Sequence, residues 1–325
     1  MHRRGLLTAS LAATAMLTGG AGDPDWPARP ITLVVPFTAG GPTDVLARTL
    51  AEPMSRALGQ PVTVENITGA GGTVGAAHVA QARPDGYNLL LGNIGVATSA
   101  ALYRNLPYDP ATAFETIGLV SPVPMVLVAR PDLPARSLSE LLAWARGRGA
   151  AVNFAHAGVG SASHLCATLL RVETGIPMTA IAFRGTAPAM KELMAGRIDL
   201  TCDQTTSALP YVRDGRVKAI VATTSARLPV LPQVPTAAES GLPALEVTIW
   251  HGLYAPRGTP APVVERLSLA LKAALRDERV VARLADLATT PEPQERATPA
   301  AHRALLEAEM ARWRAVLQGA GGLVE

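Results

Sequence analysis

The sequence predicts an α/β fold in two lobes, each a parallel-rich sheet flanked by helices. Short, apolar, β-branched runs alternate with segments of helical period from residue 31 to residue 92, the pattern of a parallel sheet with crossover helices. The alternation returns between 151 and 224. The chain is also long. Its 325 residues, 48% of them hydrophobic, exceed what one core usually organises, because chains beyond ~250–300 residues tend to divide.

Residues 31–37 read as a buried strand, apolar and uncharged. Thr38-Ala39-Gly40-Gly41 ends it, and Pro42 suits the first position of a helix, where its missing N–H costs nothing. Val45, Leu46, Thr49 and Leu50 continue that helix at helical spacing. Pro53 is expected to kink it or end its regular part, and Gly59 to terminate it. Residues 61–65 form the next strand. Glycine-rich 69–75 leads into a short helix ending near Arg83, Pro84-Asp85-Gly86 turns, and 87–92 is a third strand. The apolar stretch 119–129, interrupted by Pro122 and Pro124, fits a strand pair or a crossing between lobes.

The second block reads as helix 138–146, strand 151–156, helix 161–172, strand 176–183 and a helix over 188–194 that stops at Gly196. Strand 198–202, helix 206–213 and strand 218–224 complete it. After the Pro-rich connection 229–235 come strand 249–255, amphipathic helix 262–276 and short helix 280–287. The long helix 300–317 carries Leu305, Leu306, Met310, Trp313 and Leu317 on its apolar side, and Trp26 and Trp313 read as core or lobe-surface residues.

The N-terminus reads as a cleaved signal peptide over 1–21. His2, Arg3 and Arg4 form a basic head, 6–17 an apolar run, and Gly19-Gly20-Ala21 a small-residue cleavage site. The run is too short to span ~30 Å of hydrocarbon. Arg3-Arg4 ahead of Gly5-Leu6-Leu7 also permits a twin-arginine export route. Arg3 and Arg4 leave with the leader, so 29 basic against 26 acidic residues becomes 27 against 26. No Lys/Arg cluster then resembles a nucleic-acid footprint. Cys166 and Cys202 read as two small buried hydrophobes. Export permits a bridge between them, but a chain of this size does not need one. His78, His156 and His164 share no metal-ligand spacing with a cysteine or acidic pair, so neither metal nor cofactor is implied.

Function is suggested by the turns that join strands to helix starts. The strongest are 38–43, 158–163 and 184–187; 69–73 and 203–206 are weaker versions. In an open α/β sheet such loops gather at the carboxyl ends of the strands, where ligands bind. Each helix start leaves N–H groups free beside a positive partial charge, which suits a carboxylate without any lysine or arginine. Thr38, Thr43, Ser161, Ser163, Thr186 and Thr206 add hydroxyl donors. The same glycines and serines also serve simply to turn and cap. Asp44 has three readings: it stabilises the helix dipole, holds the Gly40-Gly41 turn, or accepts from a ligand. His164 contacts ligand or packs near its helix start. Arg184 pairs with a carboxylate or points outward. Tyr103, Tyr108 and Trp250 are candidates to wall a cleft.

Catalytic readings fail. Gly158-Val159-Gly160 lacks the third glycine of a dinucleotide loop, and 69–75 lacks the Gly-Lys-Ser/Thr ending of a phosphate loop. No G-x-S-x-G elbow is present, and neither Ser161 nor Ser163 has a His–acid partner pair.

Taken in order, the segments Trp26-Pro27-Ala28-Arg29-Pro30-Ile31, Val35-Pro36-Phe37-Thr38-Ala39-Gly40-Gly41-Pro42-Thr43-Asp44 and Val64-Glu65-Asn66 with Gly69-Ala70-Gly71-Gly72 carry a resemblance. So do Pro84-Asp85-Gly86-Tyr87, Leu106-Pro107-Tyr108-Asp109-Pro110, Gly158-Val159-Gly160-Ser161 with His164, Phe183-Arg184-Gly185, and the stretches 234–241 and 255–260. Together they resemble the solute receptors of tripartite tricarboxylate transporters, the TctC or Bug family, over nearly the whole chain beyond the leader. The resemblance implies a type II periplasmic-binding-protein fold, with one lobe at 24–124 plus 225–325 and the other at 125–224. It implies a monomeric periplasmic receptor, not an enzyme, that takes a small organic acid between its lobes and delivers it to a two-component integral membrane carrier. The implied ligand contacts are Phe37, Thr38, Ala39, Gly40, Gly41, Thr43 and Asp44 on one loop and Gly160, Ser161, Ser163 and His164 on another. Arg184, Gly185, Thr186 and Asp203 complete the set; Arg184 stands where the family usually carries lysine and fits loosely. An enzyme on the same fold and a sensory effector-binding module are the alternatives. The second needs a DNA-binding segment ahead of Ile31, where the leader leaves no room.

Overall fold

The computed structural model describes residues 25–319, so the signal-peptide reading of 1–21 lies outside the described residues. The chain runs β1 (Ile31–Val35), α1 (Pro42–Leu58), β2 (Val62–Asn66), α2 (Thr73–Ala80), β3 (Asn88–Asn93), α3 (Gly95–Leu102) and β4 (Phe114–Ala129). It continues through α4 (Leu138–Arg146), β5 (Asn153–His156), α5 (Ala162–Thr174), β6 (Thr179–Ala182), α6 (Thr186–Met194), β7 (Leu200–Gln204), α7 (Thr205–Arg213) and β8 (Lys218–Ala222). The last elements are β9 (Thr248–Pro256), α8 (Ala261–Arg276), α9 (Glu278–Asp286) and α10 (Pro299–Gly319).

The strands lie in the order β2-β1-β3-β9-β4-β7-β5-β6, with β8 also on β4. β1, β2 and β3 are parallel, as are β5, β6 and β7. β9 and β4 run antiparallel to their neighbours, so the sheet is mixed. The stretch expected to be a strand pair or a crossing is a single 16-residue strand. Its residues up to Pro124 pair with β9, and those from Met125 pair with β7 and β8. β4 thus joins a first sheet section (β2-β1-β3-β9) to a second (β7-β5-β6 with β8).

Period-two alternation explains why the first section is covered on both faces. Ile31, Leu33 and Val35 pack with Leu46, Leu50, Leu267 and Leu271 of α1 and α8. Val34 and Leu90 point the other way, into a core that includes Leu102 of α3 and Leu306 of α10. In the second section Val126 and Val128 meet Met190 and Leu193 of α6 and Leu209 of α7. Trp26 and Trp313 are both buried.

Three features go beyond or against the sequence reading. Pro53 neither ends nor visibly divides α1, which continues to Leu58 and stops at Gly59 with φ +75°. Leu50, Met54 and Leu58 are buried on either side of it, and that packing holds the last turns in line. Helix α3, over a stretch that carries no helical periodicity, was not foreseen. Its sequence is small and uncharged, and most of it is buried, so no polar face marks it. Cys166 and Cys202 are fully buried, but they are bonded to each other, α5 to β7, with Cα atoms 6.3 Å apart. Residues 36 apart in sequence meet because α5 packs on β7.

Candidate functional site

The loop after β1 is built around Asp44. Gly40 takes φ +78°, open to glycine at little cost. Its N–H donates to Asp44 Oδ2 at 2.9 Å, Arg48 Nε donates to the same oxygen at 2.9 Å, and Asn66 Nδ2 donates to Oδ1 at 2.9 Å. Asn66 also donates to the Phe37 carbonyl at 2.9 Å. Burial works against the Asp44 anion, but Arg48, the Gly40 amide and Asn66 outweigh it and hold the carboxyl below its usual range. Three donors from its own chain thus hold Asp44 in place, and it braces the loop. On the next residue back, Thr43 Oγ1 lies 3.2 Å from His251 Nε2 of β9.

The loop after β5 is held the same way from the other section. Gly158 and Gly160 have φ +104° and +79°. Ser161 caps α5 by accepting from the His164 N–H at 3.3 Å, and Ser163 Oγ accepts from the Ala157 N–H at 2.9 Å. His164 Nδ1 accepts from the Gly160 N–H at 3.3 Å. Burial first, then His156 and Arg171, push the His164 pKa down to about 4, so the ring is neutral and serves as an acceptor for the loop.

These loops face one another. Gly185 packs so closely on Thr38 that any Cβ there would meet the Thr38 hydroxyl, and a Cβ on Gly71 would meet the Val159 carbonyl. Thr98 Oγ1 of α3 donates to the Gly160 carbonyl at 2.8 Å. Between the loops lies a small cavity. Phe37, Thr43, Ser161, Ser163, Thr186 and Asp203 line it, all of them foreseen. Thr38, Ala39, Gly40, Gly41, Asp44, Gly160, His164 and Gly185 are not in its lining; they shape the loops around it. Arg184 is exposed and away from the lining.

Asn93, Met125 and Gln204 also line the cavity and were missed. Asn93 and Gln204 close β3 and β7, and their place at strand carboxyl ends was the available signal. A second, smaller space shares Phe37 and Asn93 and reaches Tyr108, whose phenol burial pushes up to about 12. Trp250, a candidate wall, is instead buried in the core.

Four helices start at the cavity. No side chain caps α1, α6 or α7 at Gly41, Gly185 or Gln204, and α5 is capped by Ser161. Their first N–H groups are donors without helical partners, each at the positive end of a helix. The lining contains no lysine, arginine or histidine. Among the described residues no group of three or more His, Cys, Asp or Glu is placed to hold a metal, and no helix is long and apolar enough to cross a membrane.

Comparison with known proteins agrees with this geometry. The family model described as "Tripartite tricarboxylate transporter family receptor" matches residues 46–321. An Agrobacterium vitis protein, described as the UPF0065 protein in the TAR-I ttuE-ttuC' intergenic region, is 47% identical over 96% of this chain and 90% of its own. The periplasmic binding protein BugD is 44% identical with a TM-score of 0.90, covering 92% of this chain and 100% of that one. MatC from Rhodopseudomonas palustris, solved with bound malate, is 42% identical with a TM-score of 0.87, over 90% and 100% of the two chains. The fold is that of the type II periplasmic binding proteins, and the chain belongs to the tripartite tricarboxylate transporter receptor family.

Proposed function

We propose that the chain is a periplasmic solute receptor that takes a small organic carboxylate into the cavity and delivers it to a two-component membrane carrier of the tripartite tricarboxylate type. The observation that carries this is the meeting of four helix starts, those of α1, α5, α6 and α7, at one cavity with no cationic side chain in its lining. Backbone amides there are fixed donors for an anion. A hydrogen bond to a charged group contributes about 1.5–3 kcal/mol, so a few suffice to offset desolvation of one carboxylate. Malate in MatC is an acid of this class.

In this reading the two sheet sections are lobes, 24–124 plus 225–325 and 125–224, and ligand shifts them toward the closed arrangement. The loop residues 37–41, Thr43 and Asp44, with Gly160, Ser161, Ser163, His164, Gly185, Thr186 and Asp203, form the binding site. Some touch the ligand and some, like Asp44, hold the loop. Arg184 contributes at most long-range charge. The receptor works as a monomer, exported by its first 21 residues through the general or the twin-arginine route. A thermal-shift screen of the protein against small mono-, di- and tricarboxylates tests the function. A ligand that binds only the native state raises Tm with its concentration; a panel that leaves Tm unmoved throughout rejects the reading.

A further inference from the structure

Asp203 is the one ionisable side chain in the cavity lining, and it has the same sign of charge as the proposed ligand. It sits in β7, next to the Gln204 that caps α7, and is 1% exposed. The Gln204 N–H donates to Oδ1 at 2.9 Å and the Ser207 hydroxyl donates to Oδ2. No lysine or arginine pairs with it among the described residues. Burial pushes its pKa up to about 6, against Ser207, the Gln204 amide and Thr186, which favour the ion.

A carboxylate has about four acceptor positions, and Ser207, the Gln204 amide and Thr186 occupy at most three of them, leaving at least one for a ligand. A cavity built only to hold an acid group would gain nothing from a buried acceptor of like charge. A ligand that brings its own hydrogen-bond donor turns that acceptor from a penalty into a contact.

We infer that Asp203 makes this receptor selective for organic acids that carry a hydroxyl or ammonium group in addition to the anchored carboxylate, and against acids of equal length without one. The inference rests on the carboxylate-receptor reading and narrows its ligand class. Hydroxy acids and amino acids share the required donor, and the test separates them.

L-malate, L-aspartate and succinate have the same four-carbon dicarboxylate skeleton and differ in the donor. Isothermal titration of the full-length mature chain with each is expected to show malate or aspartate binding at least about tenfold more tightly than succinate. Malate alone tighter points to a hydroxyl donor, and aspartate alone to an ammonium. In Asp203→Asn the favoured acid should lose about tenfold while succinate holds or gains, because the like charge is gone. Wild-type protein that binds all three alike overturns the inference and leaves the receptor reading standing. Wild-type protein that binds none of the three overturns the inference, while binding of another acid in the thermal-shift panel still supports the receptor. Asp203→Asn that weakens all three equally makes Asp203 a structural residue and also overturns it. The wild-type ratio needs no variant, so a ratio near one overturns the inference even if Asp203→Asn does not fold, and Asp203→Glu or Asp203→Ser then assigns the preference to this position.

Discussion

The hydroxyl of Tyr103 donates to the carbonyl of Val159 at 2.8 Å, tying the end of α3 in the first sheet section to the loop after β5 in the second. The bond spans 56 residues of sequence. Neither Tyr103 nor Val159 is in the cavity lining, so in the proposed receptor this bond would favour closure without recognising the ligand.

Tyr103→Phe is expected to weaken binding of any tight ligand two- to tenfold. One neutral hydrogen bond contributes about 0.5–1.5 kcal/mol, and the binding-competent population falls by the corresponding factor. Titration calorimetry of variant and wild type checks this. Equal affinities would show that the bond does not bias closure.

Gly71→Ala places a methyl group against the Val159 carbonyl, backbone that cannot swing aside. Its φ of +62° adds about 1 kcal/mol of strain in the folded chain. Affinity should fall by about a hundredfold or more, with a modest drop in Tm. Small-angle scattering at saturating ligand should leave the variant more expanded than wild type. A variant as compact as wild type with ligand would refute the contact's role.

Reducing the Cys166–Cys202 bridge, or replacing both residues with serine, should cost about 2–4 kcal/mol, the usual range for a loop of this size. The bridge joins α5, whose start forms one side of the cavity, to β7 one residue before Asp203. Urea denaturation with and without reductant measures the cost; an unchanged midpoint would mean that packing alone holds α5 on β7.

Acid should destabilise the fold between about pH 6.5 and pH 4. Burial pushes His251 and His302 down to about 3 and His164 down to about 4. Their folded pKa values lie below the unfolded value, so the unfolded chain binds more protons as pH falls through this window, and stability is lost. Asp203, raised to about 6, and Glu292, also raised by burial, act in the opposite direction over part of it. Three histidines against two carboxyls leave a net loss. Tm should fall steadily from pH 7 to pH 4.5, and His302→Phe should flatten the slope. A Tm constant over that range rejects the assignment.

The parts of the fold legible in the sequence were those with local causes. Helix α4 reads from Leu138 to Arg146 because Ser137 accepts from the Glu140 N–H at 3.2 Å, a cap visible in the sequence. The loops after β1 and β5 were legible from their glycines and hydroxyls. What those loops do residue by residue was not. Asp44 and His164 each carried a structural reading beside a ligand-contact one, and each spends an acceptor on nearby backbone, at Gly40 and Gly160. Asn93 and Gln204 carry no local mark at all; only the closing of β3 and β7 brings them to the cavity. The cysteine pair was hidden for the same reason, since a contact over 36 residues has no local signature.

The course of β4 has a mechanical consequence. Because one strand belongs to both sheet sections, they cannot swivel freely as bodies on a slack tether; rotation must bend or twist a hydrogen-bonded ribbon. Pro122 and Pro124 stand immediately before the change of partners at Met125. Proline nitrogens donate no ladder bonds, so the ribbon is most compliant at that crease. The same rings fix φ there, which limits the directions in which it can fold and would give the proposed closure an axis written into the chain.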